Sequence, residues 1–460
     1  MKFWPRVRGV TFGLICGVGV LAASSGMAAV KIERVTSAKG IEAWLVHDGS
    51  VPVISMSFEF RGGSALDPIG KEGLSEMVSG LLDEGAGDLD SQSFQKLLED
   101  ESIYLSFDTD RDIFSGRLRI LSKKQDRAFD LLRLALTKPR FDPEPVGRIR
   151  EQIETRIRRN AASPQHIADR SLWEAVYPNH PYGRPSEGTP ESLATLTVDD
   201  LHGFVHSRFT RDRLIVGIAG DIDAETLKPL LDKAFGDLPA QGGTIDLPEV
   251  EPKIIGISVI DRNIPQTVVR FVAPGIPRRD PDFFAALLVS YILGGDGLTS
   301  RLAETVREKN GLAYSIGAGL ATLDKSALIS GAFATENSRA GRALDLTRAE
   351  WARMGHEGPT AAELAAAKTY LLGSYPLRFT TTNDIAQQLM GIQHEKLDID
   401  YANTRQEKIN RVTLTDATRV ARRLFDPSQL SIIAVGRPIG ITESSVPPSP
   451  RKAPSEPRSK

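Results

Sequence analysis

Two stretches in the first half of this 460-residue chain recur, without gaps, in the second half. Residues 197–220 read TVDDLHGFVHSRFTRDRLIVGIAG and align with residues 413–436, TLTDATRVARRLFDPSQLSIIAVG. Residues 51–68, VPVISMSFEFRGGSALDP, align with residues 264–281, IPQTVVRFVAPGIPRRDP, at almost the same offset along the chain. Two nearly equal offsets, at the start and the end of each half, predict two copies of one α+β domain.

Each copy shows the same order of predicted elements. An alternating strand leads through Asp-Pro into an apolar helix, and the copy ends with a helix, a Phe, a turn and a second strand. Glycines and prolines concentrate at residues 239–252, as is typical of a linker. The sequence therefore predicts domains at residues 30–238 and 253–438. A cleft between two such copies is where we expect a ligand site.

Both ends of the chain are predicted to lie outside the folded domains. Basic residues, an apolar run and then small residues predict a secretory signal peptide at residues 1–29, with an uncleaved anchor as the alternative. The proline-rich residues 439–460 predict a flexible tail. The only cysteine, Cys16, lies in the signal, so the mature chain would contain no thiol, which fits a bacterial periplasmic protein. The formal net charge of −2 gives no reason to expect nucleic acid as a partner, and the apolar run is too short for a stable membrane span.

Residues 73–85, GLSEMVSGLLDEG, have the form of a zinc-binding helix without the groups that bind zinc. They resemble the Gly-Leu-x-His-x-x-Glu-His-x-x-x-x-Gly segment of the pitrilysin/insulinase-like, or inverzincin, metallopeptidase family. Glu76 stands where that family has its first His, Ser79 replaces the catalytic Glu, and Gly80 replaces the second His. Two imidazoles must hold the Zn²⁺, and a carboxylate must take a proton from the bound water. The resemblance therefore implies that this chain holds no metal and has no catalytic residue here.

Further segments extend the resemblance over residues 30–438. The first domain contains RGGS at residues 61–64 and HPYG at residues 180–183, and the second contains GGDGLTSRL at residues 294–302. REKNGLAYS at residues 307–315 is similar to the family's Arg-Glu-Lys-x-Gly-Leu-Ala-Tyr-Ser. The family fold that this implies is α+β. It has two homologous α/β-sandwich domains, each a mixed, mainly antiparallel sheet with helices packed on one face, and the two domains enclose a cavity.

The resemblance also assigns residues outside the motif. The family's third zinc ligand is a Glu on a later helix, and its position falls on or near Arg156, although Glu151 and Glu154 lie on the same predicted helix. A guanidinium there would neutralise Glu76 in place of a metal. Arg307 and Tyr314 match the family's pair that binds the substrate backbone and the oxyanion. The structural alternative is an Arg paired with a surface carboxylate and a Tyr half-buried on a strand.

Two functions follow as hypotheses. In the first, the chain is a non-catalytic, zinc-less subunit of a heterodimeric peptidase. A paralogous partner with His-x-x-Glu-His would hold the zinc, and Arg307 and Tyr314 would bind unfolded peptide substrates. The alternative is a zinc-less scaffold or peptide-binding protein with no part in hydrolysis. An autonomous hydrolase is disfavoured, because the sequence has no Gly-x-Ser-x-Gly motif and no cysteine beyond the signal.

Overall fold

The duplication seen in the sequence is present as two sheets of matching strand order. The computed structural model describes residues 30–295, 297 and 299–444, so the predicted signal peptide and most of the predicted tail lie outside the described residues. The first sheet has the order β1-β2-β6-β3-β5-β4 and the second has the order β7-β11-β8-β10-β9. Apart from the additional β1, each strand of the first sheet has a counterpart at the same place in the second.

The first domain contains six strands and eight helices. Its strands are β1 (Glu33–Thr36), β2 (Glu42–His47), β3 (Val53–Arg61), β4 (Tyr104–Thr109), β5 (Ile113–Leu121) and β6 (Leu214–Gly220). Its helices are α1 (Leu74–Ser79), α2 (Ser91–Asp100), α3 (Gln125–Thr137), α4 (Pro143–Ala161), α5 (Pro164–Val176), α6 (Pro190–Thr195), α7 (Val198–Arg208) and α8 (Ala224–Phe235). Only β2 and β6 pair in parallel, and the other pairs are antiparallel.

The second domain repeats this arrangement. Its strands are β7 (Ile257–Asp261), β8 (Gln266–Pro274), β9 (Ile316–Thr322), β10 (Ala327–Glu336) and β11 (Ser431–Gly436). Its helices are α9 (Phe283–Gly294), α10 (Ala340–Glu357), α11 (Ala361–Gly373), α12 (Thr382–His394), α13 (Tyr401–Arg411) and α14 (Leu414–Leu424), with a π-helical segment at Ala303–Glu308. The parallel pair among the described strands of this domain, β7 with β11, corresponds to β2 with β6. The predicted α+β class, with mixed and mainly antiparallel sheets, is confirmed.

The segments that align in sequence are equivalent in structure. Strands β3 and β8 are each nine residues long and occupy identical positions in the alignment of the two halves. Helices α7 and α14 each begin with a capping box, in which Thr197 or Thr413 accepts a hydrogen bond from the backbone three residues on. Phe209 and Phe425 follow these helices, and both are fully buried. The same local chemistry therefore builds the same elements twice.

One helix of each domain packs on the sheet of the other domain. Helix α5, of the first domain, packs on β8 and β11 of the second sheet, while α12, of the second domain, packs on β3 and β6 of the first. Both helices are 13 residues long and occupy equivalent places in the repeat. Gly217 makes the close approach possible, since a Cβ there would lie 2.3 Å from the carbonyl oxygen of Ala386. This exchange buries apolar side chains of both domains in shared clusters.

A cavity of about 530 Å³ lies beside the exchanged helices, and both domains line it. Its lining side chains include Glu59, Asp112, Trp173, Leu323, Gln388 and His394. The cleft predicted between the two copies is therefore present. Helices cover much of each sheet, however, because α5 and α12 each lie on the opposite domain's sheet.

The structure differs from prediction at residues 439–444, which we assigned to the flexible tail. The backbone of Ile439 bonds to Asn337 and Gly341, and that of Ser444 bonds to Ile257. These residues therefore belong to the second domain, since the hydrogen bonds satisfy backbone groups at its surface. Within the described part of the chain, no helix combines the length and the apolar character that crossing a membrane requires.

Candidate functional site

Helix α1 carries the altered motif and is held at its N-terminus by a buried carboxylate. Asp67 accepts hydrogen bonds from the backbone N–H groups of Gly73 and Ser75, at 3.2 Å, and from the Ser75 hydroxyl, at 3.1 Å. Burial raises the pKa of Asp67 to about 7, although these hydrogen bonds act to lower it. The helix covers only part of the motif segment 73–85. After Ser79 the chain continues through Gly80 into turns, in which the N–H groups of Leu81 and Leu82 both bond to the carbonyl oxygen of Val78.

Arg156 of α4 lies against Glu76, as the resemblance led us to expect. Its Nη2 donates to Oε1 of Glu76 at 2.5 Å, and its Nε lies 3.4 Å from Oε2 of Glu187. Burial raises the pKa of Glu76, although the charge of Arg156 acts to lower it. Burial acts to lower the pKa of Arg156, but Glu76 and Glu187 together raise it. Two carboxylates thus share one permanent cation beside helix α1.

The other two motif positions are also closed to metal chemistry. The Ser79 hydroxyl donates back to the carbonyl oxygen of Glu76 at 2.9 Å, so it faces its own helix. At Gly80, a Cβ would lie 3.0 Å from Cγ2 of Ile149, which leaves little room for an imidazole. Among the described residues, no three His, Cys, Asp or Glu side chains come close enough together to hold a metal ion. The residues present therefore do not fit the zinc that the family fold implies.

Arg307 and Tyr314 lie together at the surface of the second domain. The guanidinium carbon of Arg307 is 5.1 Å from the centre of the Tyr314 ring, and Tyr314 is 86% exposed. Tyr314 precedes β9 and is neither on a strand nor half-buried, so that part of the structural alternative is wrong. The other part is present, because Nε of Arg307 lies 3.2 Å from Oε1 of Glu308. The structure thus brings the predicted pair together and leaves its phenol accessible.

A charged cluster that the sequence did not indicate joins the two domains. His394, at the end of α12, lies 2.7 Å from Glu59 on β3 through Nδ1 and 3.2 Å from Asp324 through Nε2. Burial acts to lower the pKa of His394, but hydrogen bonds to Asp324 and Glu59 raise it to about 10. Arg61 completes the cluster by donating to the carbonyl oxygen of His394 at 2.6 Å.

In sequence, His394 appeared only as a His-Glu dipeptide without a second His. No local signal identifies it, because both of its partners are distant from it along the chain and Glu59 belongs to the other domain. The nearest hint was Glu59 itself, an acidic residue within a predicted strand, and it is 1% exposed.

Comparisons with known proteins agree with this geometry. Residues 44–190 match the family model described as Insulinase (Peptidase family M16), and residues 195–371 match the model described as Peptidase M16 inactive domain. A Helicobacter pylori protein named "Non-peptidase homolog YmxG" is 27% identical over 368 residues, which cover 80% of this chain and 85% of that protein. A Bacillus subtilis protein named "Uncharacterized zinc protease YmxG" is 23% identical and covers 86% of this chain and 96% of its own length.

A solved structure shows the same fold. The crystal structure described as peptidase M16 inactive domain, from Pseudomonas fluorescens, has a TM-score of 0.83 and 24% sequence identity. It covers 90% of this chain and 100% of its own chain. The chain is thus similar, over most of its length, both to proteins named as peptidases and to proteins named as inactive.

Proposed function

The chain belongs to peptidase family M16, and on that premise we propose that it is the non-catalytic subunit of a two-chain zinc peptidase. Its own motif lacks the zinc ligands, and Arg156 takes the place of the metal. A paralogous partner with His-x-x-Glu-His would supply the zinc and the general base. This chain would supply Arg307 and Tyr314 to the substrate chamber.

One observation carries the proposal: the Arg307/Tyr314 pair faces outward while the chain's own metal position is closed. Tyr314 is 86% exposed, an unusual state for a large aromatic side chain, and Arg307 lies over its ring. A guanidinium and a phenol are both hydrogen-bond donors, suited to the negative charge that develops on a carbonyl oxygen during peptide hydrolysis. Among the described residues, no group that could act on a peptide bond together with this pair lies against it. A second chain would bring the reacting groups.

The substrate we propose is an unfolded peptide. Strand β4 is an edge strand of the first sheet and contacts α1, so a peptide added to that edge would pass the Glu76–Arg156 site. An extended segment satisfies the free backbone groups of an edge strand whatever its side chains are, provided that it is not already folded. The sequence-based expectation of a bacterial periplasmic location forms part of this proposal.

The proposal is tested by mixing the purified chain with a candidate partner, defined as a paralogue from the same genome whose sequence contains His-x-x-Glu-His. Each chain alone and both together would be assayed against unfolded, internally quenched peptides, with metal analysis of each. We expect the mixture to cleave far faster than the sum of its parts, and this chain to contain no stoichiometric zinc. One zinc per chain, or a partner fully active alone, would contradict the proposal.

A scaffold or peptide-binding role is the second candidate, and the ion pair between Arg307 and Glu308 favours it. In a scaffold, that ion pair would have only a structural role at the surface, where exposed ion pairs contribute roughly 0–1 kcal/mol to stability. Complex formation without peptidase activity would support this candidate over the first.

A further inference from the structure

A second cavity, of about 340 Å³, lies in the first domain beside the closed metal position. It is lined by the C-terminal end of α4, by α5 and by residues 183–187, and it includes Glu187, the second carboxylate bound to Arg156. Four of its side chains are cationic or can become so: Arg111, His166, Arg170 and Arg184. Apart from Glu187, the site described above uses none of the side chains that line this cavity.

Both acidic side chains of the cavity already have an arginine partner. Asp169 pairs with Arg270 at 2.7 Å and Glu187 pairs with Arg156, and neither arginine lines the cavity. Arg184 is also engaged, since it donates to the carbonyl oxygens of Asp67 and Ala65 at 2.8 and 2.7 Å. Arg170 and His166 are exposed and form no hydrogen bond or ion pair with any described residue. Arg111 and Arg170 are therefore the guanidinium groups of this cavity that have no ion pair with a described carboxylate, whereas Arg184 also lies 3.6 Å from Oε1 of Glu72.

Arg111 is held in a fixed orientation at the back of this cavity. Its guanidinium lies 3.9 Å from the centre of the Trp173 ring, and its Nε donates to the carbonyl oxygen of Tyr182 at 3.1 Å. The nearby carboxylate of Asp112 is occupied, because it accepts from the Tyr182 hydroxyl at 2.5 Å and from the N–H of Asp324 at 3.0 Å. The terminal nitrogens of Arg111 have no acceptor among the described residues and remain available to a ligand.

We propose that this cavity binds a carboxylate of a peptide, with Arg111 and Arg170 as its partners. A guanidinium has the planar geometry that matches a carboxylate in a bidentate pair, and the stacking on Trp173 fixes that plane in advance. Arg111 and Trp173 also line the cavity of about 530 Å³ between the domains. An extended peptide can therefore place its carboxylate here while its chain continues past Gln387 and Gln388. The site does not require the partner subunit.

Trp173 provides the measurement. It is half-buried, whereas Trp44 and Trp351 are buried, so a ligand next to Arg111 should change the fluorescence of Trp173. Three hexapeptides of Ala, Asn and Gly would be titrated into the full chain. One has a free C-terminal carboxylate, one is amidated but carries an Asp side chain, and one is amidated and neutral. Calorimetry would give the dissociation constants in parallel, and Trp173→Phe should abolish the fluorescence change.

We expect at least one carboxylate peptide to bind about tenfold or more tightly than the neutral peptide, and the peptide that gains identifies the source of the carboxylate. Arg111→Gln and Arg170→Gln should each remove most of this preference. Arg158→Gln, on α4 but outside the cavity, should retain it. Equal binding of all three peptides would overturn the inference. So would an undiminished preference in Arg170→Gln, which is decisive even if Arg111→Gln fails to fold, because Arg170 is exposed.

Discussion

The two domains carry the two groups of residues that the family resemblance singles out, a closed half in the first domain and an open half in the second, and they differ in how each meets solvent. In the first domain Glu76 is 21% exposed and is held by Arg156, so the altered motif is closed by an internal ion pair. In the second domain Tyr314 is 86% exposed and lies under Arg307. The charge of the closed half is balanced within the domain, since a buried carboxylate without a cation is costly. The open half remains accessible to solvent.

The largest effect is expected at the open half. In the two-chain enzyme, Arg307→Ala and Tyr314→Phe should each lower kcat/KM by about 100-fold or more, because each removes a donor to the developing oxyanion. Steady-state kinetics on an unfolded peptide would measure this, with Arg411→Ala and Tyr370→Phe as exposed controls. Variants as active as the parent would leave the exposed pair without a function and would remove the contrast between the domains.

The next effect concerns the cluster that fixes the two halves relative to one another. Since the folded-state pKa of His394 is raised to about 10, its contribution to stability is complete below the unfolded-state value of about 6.5. That contribution should be lost as the pH rises from about 6.5 through 10. We expect the difference in unfolding free energy between the parent and His394→Gln to shrink by an amount on the order of 2 kcal/mol over this range. Urea denaturation at several pH values would measure it, and a pH-independent difference would argue against a charged imidazole between Glu59 and Asp324.

A smaller loss of stability is expected at the closed half. Arg156→Ala leaves Glu76 and Glu187 without their shared cation, which should cost about 1–2 kcal/mol, since the partial exposure of Arg156 moderates the penalty of a fully buried pair. Adding Glu76→Gln should recover part of that loss. A double-mutant cycle in urea measures the coupling, and additive effects would show that Arg156 does not substitute for the metal.

The smallest effect concerns whether zinc binding can be restored at the closed half. A chain with Glu76→His, Ser79→Glu, Gly80→His and Arg156→Glu regains the family's ligand types, but the new imidazole at position 80 meets Ile149. Adding Ile149→Ala should raise zinc affinity by about tenfold, as measured with a competing chelator. Equal affinity with and without Ile149→Ala would mean that ligand type alone, and not space, decides whether zinc binds.

Sequence patterns predicted the elements that repeat. Strands β3 and β8 and helices α7 and α14 follow from the hydrophobic pattern and from a self-alignment that needs no tertiary information. The contact between Arg156 and Glu76 was expected from the resemblance, because positions that bind one zinc ion in the family must lie close together in space. The predictions from sequence were wrong about where two segments end. Gly80 ends α1 early, and residues 439–444 pair with the second domain.

The sequence by itself determined the duplication, the absence of zinc ligands in the motif and the presence of the Arg307/Tyr314 pair, since each is a matter of residue types at fixed spacings. Only the tertiary structure decided that α5 and α12 each pack on the sheet of the other domain, that His394 bridges Glu59 and Asp324, and that Tyr314 stays exposed. The physical reason is that an apolar stripe shows that a helix must be buried, but not which sheet buries it. The charge of a side chain likewise does not tell which distant partner will balance it.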